Sequence, residues 1–100
     1  MELAKREPDH HFTGGLYDAE GYWNPNKRKL SFTNKDPLII ELVSRFLTDQ
    51  NIRYKLYQRR KGKYNWYVIE TYTLQALKLL SLLDLRHPKW RRFYTDTFFK

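Results

Sequence analysis

The sequence contains no cysteine, which removes disulfide frameworks, thiolate metal sites and cysteine nucleophiles from consideration. It has no apolar run of about 18 residues and no secretory pattern at its start, so it reads as soluble and intracellular (cytoplasmic), with no membrane partner. Repeats, linkers and low-complexity segments are absent too, and one hundred residues suit one domain with a modest core. Acids are the scarcer charge: eleven Asp and Glu against nineteen Lys and Arg leave a net +8, which favours a polyanionic partner. What is abundant is aromatic, with eight Tyr, six Phe and three Trp, so the chain has much to bury and is no disordered basic tail. The cations are spread over several segments instead of lining one amphipathic helix, which favours nucleic acid over a membrane surface.

Residues 1–8 read as a polar leader and 9–100 as the single domain. Pro8 discourages helix at its predecessor, and Asp9 is the natural cap of a first helix over His10 to Glu20. Adjacent His10 and His11 point about 100° apart on a helix and read as first-turn residues, not as metal ligands. Gly14 and Gly15 each cost about 1 kcal/mol in a helix interior, which calls for close backbone approach in return. Gly15 and Ala19 share one nearly flat face, while Asp18 and Glu20 sit at the end where the helix dipole disfavours acids. Gly21 reads as a left-handed cap. A flat seam ending in such acids suggests helix pairing with a cation at the end.

The turn residues Pro25 and Asn26 then divide a β-hairpin, with Leu30 and Phe32 on one face and Lys29, Ser31 and Thr33 on the other. Asp36-Pro37 opens a second helix, on which Leu38, Ile39, Leu42, Val43, Phe46 and Leu47 recur to about Asp49. A second hairpin follows: Ile52 to Arg60, a turn at Lys61-Gly62-Lys63, and Tyr64 to Tyr72. Tyr54, Leu56 and Gln58 share one face of it, and Arg53, Lys55, Tyr57 and Arg59 the other. In the last strand both faces carry aromatics, and Lys63, Asn65 and Tyr67 are expected outward. A leucine-rich third helix from Leu74 to about Leu85, capped by Thr71 or Thr73, precedes the break at His87-Pro88 and a basic aromatic tail. The order is α-ββ-α-ββ-α: an α+β fold with a four-stranded antiparallel, saddle-shaped sheet, helices on its apolar face and cations on the other.

Thr13 to Gly21 (TGGLYDAEG) resembles the LAGLIDADG motif of homing endonucleases, matching at Gly15, Leu16, Asp18, Ala19 and Gly21. Glu20 is a common alternative to the second aspartate, whereas Thr13, Gly14 and Tyr17 depart from the pattern. The element order over roughly 9–95 is similar to that family's module. The resemblance implies a site-specific, divalent-metal-dependent double-strand DNA endonuclease using Mg²⁺, with Mn²⁺ able to substitute and no organic cofactor. Only one copy of the motif is present, so a homodimer paired at Gly15, Leu16, Asp18 and Ala19 is expected, acting on a near-palindromic site. By motif position Glu20 is the metal ligand, helped by the backbone at Gly21, and Asp18 a structural support. Asn34 corresponds to the residue that orders catalytic water, with Lys35 beside it. Lys89 is the candidate for the family's phosphate-facing lysine, Arg91 and Arg92 being alternatives. Lys27, Lys29, Ser31 and Lys35, with Lys55, Tyr57, Arg59, Lys63 and Asn65, are expected to face DNA. A non-cleaving DNA-binding regulator or an RNA-splicing maturase of the same fold is the alternative, and an RNA-binding module stacking bases on sheet aromatics a third.

Overall fold

The computed structural model describes residues 10–83, 85 and 88–90, with side chains from residue 12 onward. The leader 1–8, the Asp9 cap, the His10 and His11 side chains, His87, and the tail with Arg91 and Arg92 lie outside the described residues. The elements follow in the expected order: α1 (His10–Glu20), β1 (Gly21–Asn24), β2 (Lys29–Asn34), α2 (Pro37–Asp49), β3 (Lys55–Lys61), β4 (Tyr64–Tyr72) and α3 (Thr73–Leu82), then a 3-10 turn at Pro88–Trp90. The strands form one antiparallel sheet in the order β1-β2-β4-β3. All three helices pack against its two central strands or their neighbours, which makes this an α+β domain.

Helix α2 shows how local chemistry sets the boundaries. Asp36 caps it, its Oδ1 accepting from Leu38 N at 2.9 Å, and Pro37 occupies the first turn, where no amide partner is needed. At the far end Asn51 adopts φ 58°, and its amide donates to Thr48 O while that of Ile52 donates to Leu47 O. That paired closure satisfies two end carbonyls and turns Ile52 into the core beside Leu47. Ile52 therefore ends a helix instead of opening the strand expected from it, and β3 begins three residues later at Lys55. Ile40, Leu42, Val43, Phe46 and Leu47 are buried, each contributing on the order of 1.5–3 kcal/mol by leaving water.

The two hairpins differ in their turns. Asn24 Oδ1 accepts from the amides of Asn26 and Lys27, which folds the β1–β2 loop over its own side chain. The β3–β4 link is the two-residue Gly62-Lys63, shorter than expected because Lys61 pairs with Tyr64. Gly62 at φ +63° supplies the positive angle that a tight hairpin of right-handed twist needs.

Three further expectations are corrected. In β4, Phe32 pairs with Ile69 and Asn34 with Tyr67, so Tyr67 and Asn65 share the helix face; Tyr64, Trp66, Val68, Glu70 and Tyr72 occupy the open face instead. Ile69, wholly buried between Phe32 and the helices, decides that parity. Helix α3 starts at Thr73 and ends at Leu82; neither Thr71 nor Thr73 caps it, since Thr71 is a buried strand residue and Thr73 sits at φ 42°, tied by its amide to Arg28 O. Gly21 is no left-handed cap either, because it is the first residue of β1 and pairs with Phe32.

Close approach explains Gly21. A Cβ there would lie 2.7 Å from the Tyr17 carbonyl oxygen and 2.9 Å from the Trp90 ring. Gly21→Ala should therefore destabilise the domain by about 1–3 kcal/mol through overpacking against backbone and a buried indole. Urea unfolding measures this, and an unchanged midpoint would contradict it.

Candidate active site and nucleic-acid interface

Helix α1 turns straight into β1, so its last residue, Glu20, is left exposed beside the end of β2. There Asn34 donates from Nδ2 to Glu20 Oε2 at 2.7 Å, while its own Oδ1 accepts from Asp36 N at 2.8 Å. The amide is held from both ends, and it holds the carboxylate in turn. Asp18 has a different partner: the Trp90 indole N–H donates to its Oδ1 at 2.8 Å. Lys89 carries its ammonium over the Trp90 ring, 5.0 Å from the centroid. Burial pushes the Lys89 pKa below the ordinary lysine value, against the opposing pull of Asp18 and Glu20. Glu20, Asn34 and Lys89, distant in sequence, thus lie about the same end of α1.

Among the described residues, no group of three or more His, Cys, Asp and Glu side chains converges as a metal cage. At this end of α1 the exposed carboxylate is Glu20, with Asp18 engaged by Trp90. Such a donor set does not fit a closed structural site; it fits a hard cation such as Mg²⁺, which keeps waters and takes phosphate oxygens as ligands.

The two faces of α1 differ sharply. Thr13 and Tyr17 point inward and are wholly buried, Tyr17 stacking on Phe32 with ring centroids 5.0 Å apart. The Thr13 and Tyr17 hydroxyls have no hydrogen-bond partner, and burial pushes the Tyr17 phenol far above its ordinary pKa. Outward, Gly15 and Ala19 are exposed, and a Cβ on Gly15 would meet nothing within 4 Å. Leu16 is half-buried against the core edge, and Phe12 is also half-buried. The flat strip anticipated at Gly15 and Ala19 is therefore bare in the single chain.

On the open face of the sheet, Lys55, Tyr57 and Arg59 alternate outward along β3, and Lys29 and Ser31 along β2. Lys27 and Lys63 lie in the two hairpin turns. The Lys35 ammonium reaches over Tyr64 and Trp66, at 4.7 and 5.2 Å from the ring centroids, and so belongs to this face and not to the Glu20 cluster. Asn65, expected here, is on the other side. Lys29 and Tyr57 are engaged by an acid that sequence reasoning missed: Glu70 pairs with Lys29 Nζ at 2.8 Å and accepts the hydroxyls of Tyr57 and Tyr72, each at 2.7 Å. Its place opposite Ser31 and Lys55 follows from a strand parity that the aromatics on both faces obscured. Trp90, the clasp on Asp18, was equally unmarked. Only its position next to Lys89 in a region of aromatic residues hinted at it.

Residues 7–84 match the protein-family model described as the LAGLIDADG-like domain. No curated protein and no solved structure matches the chain. No described helix is long and apolar enough to cross a membrane.

Burial alone would raise the Glu70 carboxyl, but the Lys29 ion pair and the two tyrosine hydrogen bonds outweigh it and hold the pKa at about 2, against an ordinary 4.5. A depressed carboxyl contributes stability above its unfolded pKa and loses it as pH falls through the folded one. The domain should therefore lose about 3 kcal/mol between pH 4.5 and pH 2 from this group. Denaturant titrations across that range check the loss, and Glu70→Gln should flatten it while lowering stability at pH 7 by about 1–3 kcal/mol. An acid limb that is the same in the variant would contradict the assignment.

Proposed function

The chain belongs to the LAGLIDADG-like domain family, and on that premise we propose that it is a site-specific double-strand DNA endonuclease of homing type, working as a homodimer on a near-palindromic site. The observation that carries this reading is the 2.7 Å bond from Asn34 Nδ2 to Glu20 Oε2 at the exposed end of the motif helix. It joins the acid that the motif assigns to the metal with the polar residue assigned to water. Those two assignments come from different elements, and their meeting supports both.

Glu20 and the Gly21 carbonyl oxygen would hold a divalent cation, Mg²⁺ or Mn²⁺. When bound, the ion neutralises charge developing on the phosphate and acidifies a coordinated water. Asn34 fixes one Glu20 oxygen and leaves the other for an outside ligand. Lys89 supplies a positive charge whose partial burial strengthens its interaction with a phosphate oxygen. Asp18, bound to the indole, supports the helix end and is not a proton-transfer group. The exposed cations of the open face hold the duplex backbone, so binding should weaken steeply with salt.

A homodimer paired through the bare Gly15/Ala19 strip would bring two Glu20 carboxylates to the two-fold axis, one for each strand. The close approach also gives a reason for the exposed Gly15 in α1.

A non-cleaving DNA-binding regulator or RNA-splicing maturase is the alternative reading, and cleavage assays separate the two. Glu20→Gln should abolish cutting of a selected duplex with Mg²⁺ while leaving gel-shift affinity within a few-fold; retained cutting in the variant, or binding without any cutting by the native chain, would overturn the endonuclease assignment.

Gly15→Leu tests the pairing face. Its side chain enters open space, so the fold should survive, whereas association should fall at least tenfold. Sedimentation analysis reads the result, and a native chain that stays monomeric at micromolar concentration on its DNA would refute the dimer.

A further inference from the structure

Glu70 is an acid built into a face rich in cations and aromatic rings, and nothing in cleavage or backbone binding calls for it. It is only 4% exposed. Its Oε2 pairs with Lys29 Nζ at 2.8 Å and accepts the Tyr57 hydroxyl at 2.7 Å, and its Oε1 accepts the Tyr72 hydroxyl at 2.7 Å. The three partners come from β2, β3 and β4, so one carboxylate ties the face together across three strands.

The consequence lies in hydrogen-bond polarity. A tyrosine hydroxyl carries one proton and can otherwise only accept. Tyr57 and Tyr72 have both given that proton to Glu70, yet they remain 37% and 40% exposed. The carboxyl stays ionised at any working pH, held down by the same contacts, so it has no proton to return. Toward anything docked on the open face, both phenol oxygens are fixed acceptors. Lys29 keeps two of its three N–H donors.

We propose that Glu70 is a positioning residue for base recognition: by taking the hydroxyl protons of Tyr57 and Tyr72 it makes both tyrosines select the exocyclic amino groups of cytosine or adenine in the major groove. This rests on the reading of the open face as a duplex-DNA surface. In that groove the donors are cytosine N4 and adenine N6, whereas guanine presents N7 and O6 and thymine presents O4, all acceptors. A freely rotating hydroxyl satisfies either class and discriminates little. With the proton committed, a guanine or thymine oxygen meets lone pairs and is rejected. The remaining Lys29 donors take the opposite preference, for guanine.

Selection from a randomised duplex library by the full chain without divalent metal, followed by sequencing, tests this. The native chain should favour cytosine or adenine by about tenfold at one position per half-site for each tyrosine. Tyr57→Phe should erase one preference and Tyr72→Phe the other. Glu70→Gln should do something no merely structural role would. The Gln oxygen stays toward Lys29 and Tyr57, its amide donates to Tyr72, and the freed Tyr72 proton inverts that position toward guanine or thymine while the Tyr57 position is kept. Unchanged base preferences in the two Phe variants, or an even loss of affinity in Glu70→Gln with no inversion, would overturn the proposal alone. Should Glu70→Gln not fold, the Phe variants still decide it. A native chain that enriches no duplex overturns the DNA reading of the face and this proposal with it.

Discussion

Helix α1 enters strand β1 with no residue between them, and Gly21 makes that junction fit. Its missing Cβ lets the chain pass within contact of the Tyr17 carbonyl and the Trp90 ring. The pairing of Gly21 with Phe32 then sets the register of β1 on β2. Glu20, one residue earlier, is thereby delivered beside Asn34, two residues beyond Phe32, and the 2.7 Å contact between them follows from register. Trp90 closes the same junction from the other side, covering Gly21 and donating to Asp18. Moving any one of these groups moves the acid at the helix end.

The sheet beyond this junction serves two solvents. Its inner side is filled by Leu30, Phe32, Ile69 and the helix residues, a continuous apolar core. Its outer side carries cations and aromatics, with Glu70 as a counter-charge at the centre. A buried acid among cations has two effects at once. It lowers the mutual repulsion of a +8 chain, and it removes rotational freedom from two tyrosines and a lysine. Lys35 is steadied in the same region by aromatic faces instead of an acid. The open face is therefore partly organised before anything docks on it, which reduces the ordering cost of binding.

The order of elements was legible because each boundary carries its own chemistry: Asp36-Pro37 at the start of α2, Asn24 to Asn26 and Gly62 at the turns, and alternation in β2. Gly15 and Ala19, expected to share one flat face of α1, are both exposed on its outer side. What the sequence hid depends on packing between distant segments. The parity of β4 was ambiguous because Tyr64, Trp66, Tyr67 and Tyr72 spread aromatics over both faces, and only the burial of Ile69 against Phe32 resolves it. That ambiguity also concealed Glu70. Gly21 looked like a cap because glycine after a helix usually is one, whereas here the demand is for space and not for a positive φ. The Asp18–Trp90 bond spans most of the chain, and no local pattern announces such a contact.

The departures of α1 from the motif gain a physical meaning in this setting. Tyr17 stands where an aliphatic residue is usual, and its ring reaches Phe32 and packs beside Gly21, filling core volume that a smaller side chain would leave empty. The cost is a buried hydroxyl without a partner, joined by that of Thr13 one turn earlier. Two acids at the negative end of the helix dipole and two glycines in the helix interior add further local costs of about 1 kcal/mol each. Helix α2, capped at its start and closed at its end, carries no such strain at its boundaries. Gathering two glycines, two acids against the dipole and two unpartnered buried hydroxyls in one eleven-residue helix is what a chain does when that helix is held in place for its surface and not for its own stability.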